Sequence, residues 1–231
     1  MKVSIAIPTY KYNEDCLLYL DELLDSIYKQ DYINYEVVIS DHTKDDSYCD
    51  IINKYSSLMS INYFKNENGL GNISLNTNNC INKCSGDIIK VMHQDDSFFT
   101  STALSKIVYF LTENPEKNWG ACGFIHNYMV DIIKGEVIPT IRREMIPSLE
   151  TTIGNPSVSF FRRNLNNPDL YDENIYYYLD KVFHDDLAKK YGPPLIISDI
   201  CILIRMHKDN SQFKLITEKN NDLIKIQNRK K

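Results

Sequence analysis

An α/β fold, with a central, mostly parallel, mixed β-sheet flanked by helices, is predicted by three features of this sequence. Short apolar runs alternate with segments whose apolar residues recur at helical spacing. Three of those runs stop at polar, ligand-capable residues: Val3-Ser4-Ile5-Ala6-Ile7 at Pro8-Thr9-Tyr10, Glu36-Val37-Val38-Ile39 at Ser40-Asp41, and Lys90-Val91-Met92 at His93-Gln94-Asp95-Asp96. The strand-then-helix order repeats, as parallel strands joined by right-handed crossovers require. In an open sheet of this kind ligands bind at the carboxyl ends of the strands, so the three endings are expected to converge on one ligand.

The elements follow in order. Asn13 is placed to cap a helix from about Glu14 to Gln30, with Leu17, Leu20, Leu24 and Ile27 inward and Asp21, Glu22 and Asp25 outward. A second helix is expected over Asp46 to Leu58, a third strand over Ser60 to Lys65, and a third helix over Ile73 to Cys84. Gly69-Leu70-Gly71 is a poor dinucleotide fingerprint, because position 74 is Ser and the loop follows the third strand rather than the first. Thr100 to Asn114 reads as a helix with Leu104, Ile107, Val108 and Leu111 inward, ended by Pro115. Trp119 to Val130, Glu136 to Ile138 and Val158 to Arg163 read as strands of a mixed sheet, and Arg142 to Thr152 as a mobile segment. Ile175 to Tyr191 reads as a helix and Ile202 to His207 as a last strand.

Composition narrows the function. A chain of 231 residues, 43% hydrophobic and 25% charged, is long enough to bury one sizeable core. A net charge of −5 and a pI near 5.6 argue against a nucleic-acid partner, whose phosphates demand a basic surface. No apolar run approaches the roughly 20 residues that span a bilayer, and no signal-peptide core precedes the first strand. A cytoplasmic protein is therefore expected, with at most peripheral contact at the inner face of a membrane. Lys225, Arg229, Lys230 and Lys231 form a basic cluster, read as a frayed, solvated end in preference to a membrane contact. Cys16, Cys49, Cys80, Cys84, Cys122 and Cys201 contain no C-x-x-C pair, so neither zinc nor a disulfide framework is indicated.

Adjacent carboxylates at the mouth of a sheet suit a hard divalent cation, Mg²⁺ or Mn²⁺, whose remaining shell is filled by water and substrate phosphates. Asp95 and Asp96 therefore suggest a diphosphate substrate. The alternative, that the pair merely caps a helix beginning before Ser97 and Thr100, is equally compatible with these two residues alone.

Taken together, Ile5-Ala6-Ile7-Pro8-Thr9-Tyr10, Val37-Val38-Ile39-Ser40-Asp41-His42-Thr43-Lys44-Asp45 and His93-Gln94-Asp95-Asp96 resemble the family 2 glycosyltransferases of the GT-A, Rossmann-like fold. The resemblance continues to about residue 208. It implies a single domain over 1–231, with a nucleotide-sugar-binding half over about 1–98, an acceptor-binding half over about 99–208, and a C-terminal tail over 209–231. It also implies a nucleotide-sugar donor, UDP-linked in the favoured reading, and a saccharide or lipid-linked saccharide acceptor of bacterial polysaccharide or lipopolysaccharide assembly. Pro8, Thr9, Tyr10 and Asp41 would hold the nucleoside, Asp41 accepting from a ring N–H of uracil. Asn68, Gly69 and Gln94 would line the nucleotide pocket, and Asp95, Asp96 and His207 would hold Mn²⁺ or Mg²⁺ against the diphosphate. His207 and Arg205 are each also readable as surface residues. Two departures from the family pattern stand out: His93 replaces the first acid of Asp-x-Asp-Asp, and Ser40 replaces the first of two acids after the second strand.

At about 100° per residue, Asp180, Phe183, His184, Leu187 and Tyr191 share one helix face, while Lys181, Asp185, Asp186, Lys189 and Lys190 lie on the other. An acid on the core side has its pKa raised by desolvation toward a value useful for proton abstraction. Asp180 is thus the candidate general base, a structural pair with His184 being the plain alternative. The resemblance points the same way through Leu179-Asp180 and Leu187-Ala188-Lys189-Lys190-Tyr191-Gly192, with Asp185-Asp186 a rival set aside on helical phase. The implied reaction is a single displacement with inversion. Two other classes stay open: a sugar nucleotidyltransferase, although Pro8-Thr9-Tyr10-Lys11 lacks that class's glycines, and a non-catalytic nucleotide-sugar-binding module.

Overall fold

A computed structural model describes residues 1–128, 132–140, 153–207 and 216–229. The strands are β1 (Val3–Thr9), β2 (Tyr35–Asp41), β3 (Ile61–Lys65), β4 (Ile88–Val91), β5 (Ser97–Phe98), β6 (Trp119–Tyr128), β7 (Ile132–Val137), β8 (Ser159–Arg162) and β9 (Leu195–Met206). The helices are α1 (Asp15–Tyr28), α2 (Cys49–Ser56), α3 (Ile73–Lys83), α4 (Ala103–Glu113), α5 (Leu179–Tyr191) and α6 (Ile216–Asn228).

The strands form one sheet in the order β3-β2-β1-β4-β8-β6-β9-β5, with β7 on β6. β1 runs parallel to both β2 and β4, and β2 parallel to β3, so the carboxyl ends of β1, β2 and β4 share one edge. Antiparallel β8 then joins β4 to β6. Side chains alternate across the sheet. Ile5 and Ile7 meet α1 through Leu20 and Leu24, whereas Ala6, Val38 and Ile89 meet Cys80 of α3 and Phe183 and Leu187 of α5. Covering both faces is what makes these strands nearly continuous apolar runs. At Gly120 a Cβ would lie 2.5 Å from the Leu195 carbonyl oxygen and 2.6 Å from Phe160 Cζ, so only glycine lets β6 approach its neighbours.

The first helix buries Leu20, Leu24 and Ile27 as expected, and Asn13 Oδ1 accepts the Cys16 N–H at 3.3 Å. The inward set of α4 is also as expected, Leu104, Ile107, Val108 and Leu111 all being buried. Three expectations are corrected. Asp95 and Asp96 do not cap a helix: the short strand β5 follows them, and α4 starts later with Thr102 as its cap. The two-faced pattern of α5 holds only in part: Phe183, His184 and Leu187 are buried and Lys189 and Lys190 exposed as expected, but Lys181 and Asp185 are buried and Asp180 only half-buried, so hydrophobic phase does not separate its acids. The basic end is not frayed over 216–229, where α6 buries Asp222 and Ile226. The expected mobile segment Arg142 to Thr152 lies outside the described residues.

Candidate active site

The endings of β1 and β2 are locked by their own chain. Thr9 stands opposite Asp41, and its hydroxyl donates to Asp41 Oδ1 at 3.2 Å. The same oxygen accepts the Thr43 N–H at 2.8 Å, while Oδ2 takes the Tyr63 hydroxyl at 2.7 Å and the Lys65 ammonium at 3.0 Å. A carboxylate has about four lone-pair sites, so Asp41, 1% exposed, is satisfied from within. Pro8 is buried in β1 opposite Ser40.

Asn76 of α3 ties these ends together. Its Nδ2 donates to the carbonyls of Thr9 at 3.2 Å and Ser40 at 3.0 Å, and its Oδ1 accepts from Ser40 Oγ at 2.6 Å and Asn66 Nδ2 at 3.1 Å. Gln94 does the same between β1 and β4: Nε2 donates to the Tyr10 carbonyl at 2.9 Å, and Oε1 accepts the Tyr10 N–H at 2.9 Å and the Tyr48 hydroxyl at 3.1 Å. The Tyr10 side chain and Asn68 are left exposed. Gly69, at φ +63°, forms the turn after Asn68, where a Cβ would lie 2.7 Å from Leu75 Cδ1.

Beyond β4, His93, Asp95 and Asp96 each offer a ligand atom, all within 4.8 Å of one another. Asp96 is buried, its oxygens accepting from Asn155 Nδ2 at 2.7 Å and the Arg205 N–H at 3.2 Å. His207 Nε2 lies 3.0 Å from Asp95 Oδ2 and 3.3 Å from the Tyr12 hydroxyl. Arg205 Nε donates to the Asp95 carbonyl at 3.2 Å, and its guanidinium pairs with Glu22 and sits 4.6 Å above the Tyr19 ring. Thus two of the three expected metal ligands come together with His93, and the third, His207, is hydrogen-bonded to Asp95.

Burial disfavours charge on Asp95, yet the hydrogen bond to His207 holds its carboxyl below the usual range. Asp96 moves the other way, raised by burial and then by Asp95. Burial keeps His93 neutral, and its Nε2 is buried without a hydrogen-bond partner. Two carboxylates and a neutral imidazole with an unshared ring nitrogen form a donor set that fits a divalent cation such as Mn²⁺.

Asp180 lies in the first turn of α5, where its Oδ1 accepts the Lys181 N–H at 2.7 Å. Burial pushes its pKa up to about 6. His184 stacks on Trp119 with ring centroids 5.7 Å apart, and burial drives its pKa down to about 3. His184 Nε2 is buried without a hydrogen-bond partner, so that nitrogen makes no pair with Asp180. Asp186 pairs with Arg229 at 2.7 Å, while Asp185 is buried.

Sequence reasoning missed Asn76, Tyr48 and Asn155. A signal for Asn76 was present: the inner face of α3 buries Ser74, Asn76, Thr77 and Asn78, polar residues where an ordinary amphipathic helix carries apolar ones.

A model of the family described as Glycosyl transferase family 2 matches residues 4–170. The GalNAc(5)-diNAcBac-PP-undecaprenol beta-1,3-glucosyltransferase of Campylobacter jejuni is 30% identical over 122 residues, 52% of this chain and 38% of that protein. S. aureus TarS 1-349 in complex with UDP-GlcNAc gives a TM-score of 0.69 at 19% identity, over 92% of this chain and 60% of that one. The mannosyltransferase PcManGT from Pyrobaculum calidifontis, in complex with GDP-Man and Mn2+, gives 0.70 at 16% identity, over 97% of this chain and 62% of that one. At such identities the structures establish the GT-A fold. This chain spans 38% of the length of the Campylobacter relative.

Proposed function

Because the chain belongs to glycosyl transferase family 2, we propose that it moves a sugar from a nucleotide-diphosphate sugar, UDP-linked in the favoured reading, to a hydroxyl of a saccharide or lipid-linked saccharide, with inversion. The observation that carries this reading is the meeting of His93, Asp95 and Asp96 within 4.8 Å at the carboxyl edge of the sheet, beside strand ends joined by Asn76 and Gln94.

The nucleoside lies over Pro8, Thr9 and Tyr10, with Asn68 and Gly69 as one wall and Gln94 setting the distance between the β1 and β4 endings. Asp41 meets the uracil ring N–H by giving up one of its four internal donors, Lys65 being the most exposed of them. Asp95 and Asp96, with His93 or His207, would hold Mn²⁺ or Mg²⁺, which when bound supplies Lewis-acid stabilisation of the departing diphosphate. Asp180 accepts the acceptor hydroxyl's proton. The freed oxygen attacks the anomeric carbon from the face opposite the diphosphate, the bond to the diphosphate oxygen breaks, and the nucleoside diphosphate leaves with that electron pair. A base with a pKa near 6 is largely ionised at pH 7 and still strong enough to help.

In this reading residues 1–98 serve the donor and 99–208 the acceptor. Among the described residues no helix is long and apolar enough to cross a membrane; a cytoplasmic enzyme meeting a lipid-linked acceptor at the inner membrane face fits that observation, and the name of the Campylobacter relative includes a PP-undecaprenol substrate.

The test is thermal stability of the purified chain with UDP, GDP, dTDP or CMP, each with and without Mn²⁺, since a ligand that binds only the folded state raises the melting temperature. A Mn²⁺-dependent shift with UDP alone is the expected result. No shift with any nucleotide would overturn the reading of a nucleotide-sugar donor.

A further inference from the structure

The last helix, α6, contributes one fully buried charge. Asp222 is 0% exposed, and a single oxygen, Oδ2, accepts three successive backbone N–H groups: Tyr176 at 2.9 Å, Tyr177 at 2.7 Å and Tyr178 at 3.2 Å. Tyr178 is the cap residue of α5 and makes no side-chain capping bond of its own. The start of α5 is therefore fixed in trans, by a residue 44 positions further along the chain. Charge-assisted bonds to backbone N–H groups are about twice as strong as neutral ones, so this clasp is the main polar restraint on the turn that precedes Asp180.

The rest of α6 reinforces the same turn. Lys225 Nζ donates to the Asn174 carbonyl at 2.5 Å and lies 3.7 Å from the other Asp222 oxygen. Arg229 reaches Asp186 at 2.7 Å and Asp172 at 3.5 Å, and Ile226 packs into the apolar layer that contains Leu179 and Val182. On the opposite side, α3 holds the turn through Ser74 Oγ to the Ile175 carbonyl at 3.0 Å and Asn72 Nδ2 to the Glu173 carbonyl at 2.9 Å. Residues 172–178 are thus clamped between α3, which also ties the donor-side strand ends through Asn76, and α6.

We propose that Asp222 is a positioning residue for the transfer reaction: by gathering the amides of Tyr176, Tyr177 and Tyr178 it sets where α5 begins and hence where the Asp180 carboxylate points. The inference rests on the reading of Asp180 as general base. Asp222 touches no substrate; it acts through the backbone that carries the base. A displacement of about 1 Å at a reacting group can cost on the order of a hundredfold in rate.

The test compares Asp222→Ala and Asp222→Asn in the full chain, with UDP-N-acetylglucosamine or UDP-glucose and Mn²⁺ as probes, UDP release as the rate, and hydrogen exchange by peptide as the structural readout. Asn keeps an acceptor oxygen for the three amides, whereas Ala removes it. In the alanine variant the expected result is a kcat lowered about ten- to a hundredfold, donor KM within about twofold, and faster exchange confined to residues 172–184. The asparagine variant should recover most of the rate. Wild-type kcat in Asp222→Ala, or a matched loss of donor binding with faster exchange across β1 and β2, would overturn the proposal. Absence of turnover in the wild type with both donors would instead overturn the functional reading on which it rests.

Discussion

The ends of β1, β2 and β4 and the helix bearing Asp180 handle buried polar groups in opposite ways. At the ends of β1, β2 and β4 the polar groups satisfy one another: Asp41 has four donors, Asn76 four bonds and Gln94 three. Around α5, some buried atoms stand without a partner. Asp180 accepts one neighbouring amide and has its pKa pushed up to about 6, while Tyr171 Oη and His184 Nε2 are buried without a hydrogen bond. A carboxylate whose lone pairs are filled by internal donors acts as structure. A desolvated one with few donors is left able to take up a proton, which is what a base must do.

The largest expected effect falls on the underpaired side. Asp180→Asn keeps the shape and the amide contact but cannot accept a proton; turnover should fall about 10²–10⁴-fold, with donor binding nearly unchanged. Wild-type kcat in this variant would transfer the role to Asp185 or Asp186. Titration gives a second reading of the same residue. Turnover limited by the ionised form of Asp180 should drop about tenfold per pH unit below about 6. Stability moves in the opposite sense. A carboxyl raised from 3.8 to about 6 binds its proton more tightly in the folded state. The linked stabilisation is therefore full below about pH 4 and lost as pH rises through 6. The stability difference between wild type and Asp180→Asn should follow that curve, and a flat difference would remove the case for a perturbed Asp180.

Asp95 lies between the two regimes, with a firm partner in His207 and a raised carboxyl beside it in Asp96. Asp95→Asn should abolish the Mn²⁺-dependent part of the nucleotide-induced thermal shift; the whole stabilisation by a ligand at a hundredfold excess over Kd is about 2.7 kcal/mol. A variant that still responded to Mn²⁺ would show that Asp96 and the histidines bind metal without it. On the paired side the readout is stability: Asn76→Ala leaves the Thr9 and Ser40 carbonyls and the Ser40 hydroxyl short of partners and should cost about 1–3 kcal/mol. If it lowered kcat while leaving melting unchanged, the division between structural and reactive halves would fail.

The same division decides what the sequence could reveal. Strands and helices of the first half announce themselves through apolar runs and helical spacing, and three strand endings in polar residues mark Thr9, Asp41 and Asp95 as candidate site residues. Interactions across long separations are invisible to such patterns. Nothing local to Asn76 says that it spans two strands, and nothing local to Asp222 says that it caps a helix 44 residues earlier. The phase argument on α5 fails for a related reason: Lys181 and Asp185 of its outer face are buried by long-range packing, and solvent reaches that face mainly at Lys189 and Lys190, so periodicity does not separate its acids. The candidacy of Asp180 rests on the family resemblance and on a carboxyl pKa raised by burial.

The smallest effect tests whether the clamp on α5 depends on charge at its surface or on the buried carboxylate. Arg229 is exposed and pairs with Asp186 at 2.7 Å and Asp172 at 3.5 Å, in contact with solvent throughout. Such pairs contribute about 0–1 kcal/mol, because the Coulomb gain is screened and two long side chains lose rotamer freedom. Arg229→Ala should therefore shift the melting temperature by no more than a few degrees, with an effect that shrinks further as salt is raised past the point where the screening length falls below about 8 Å. Exchange in residues 172–184 should stay slow, since the three amides still converge on Asp222. If Arg229→Ala loosened that turn as much as Asp222→Ala, the restraint would be a distributed ion-pair network, and the contrast between a charge buried for position and charges displayed for solubility would not hold on this helix.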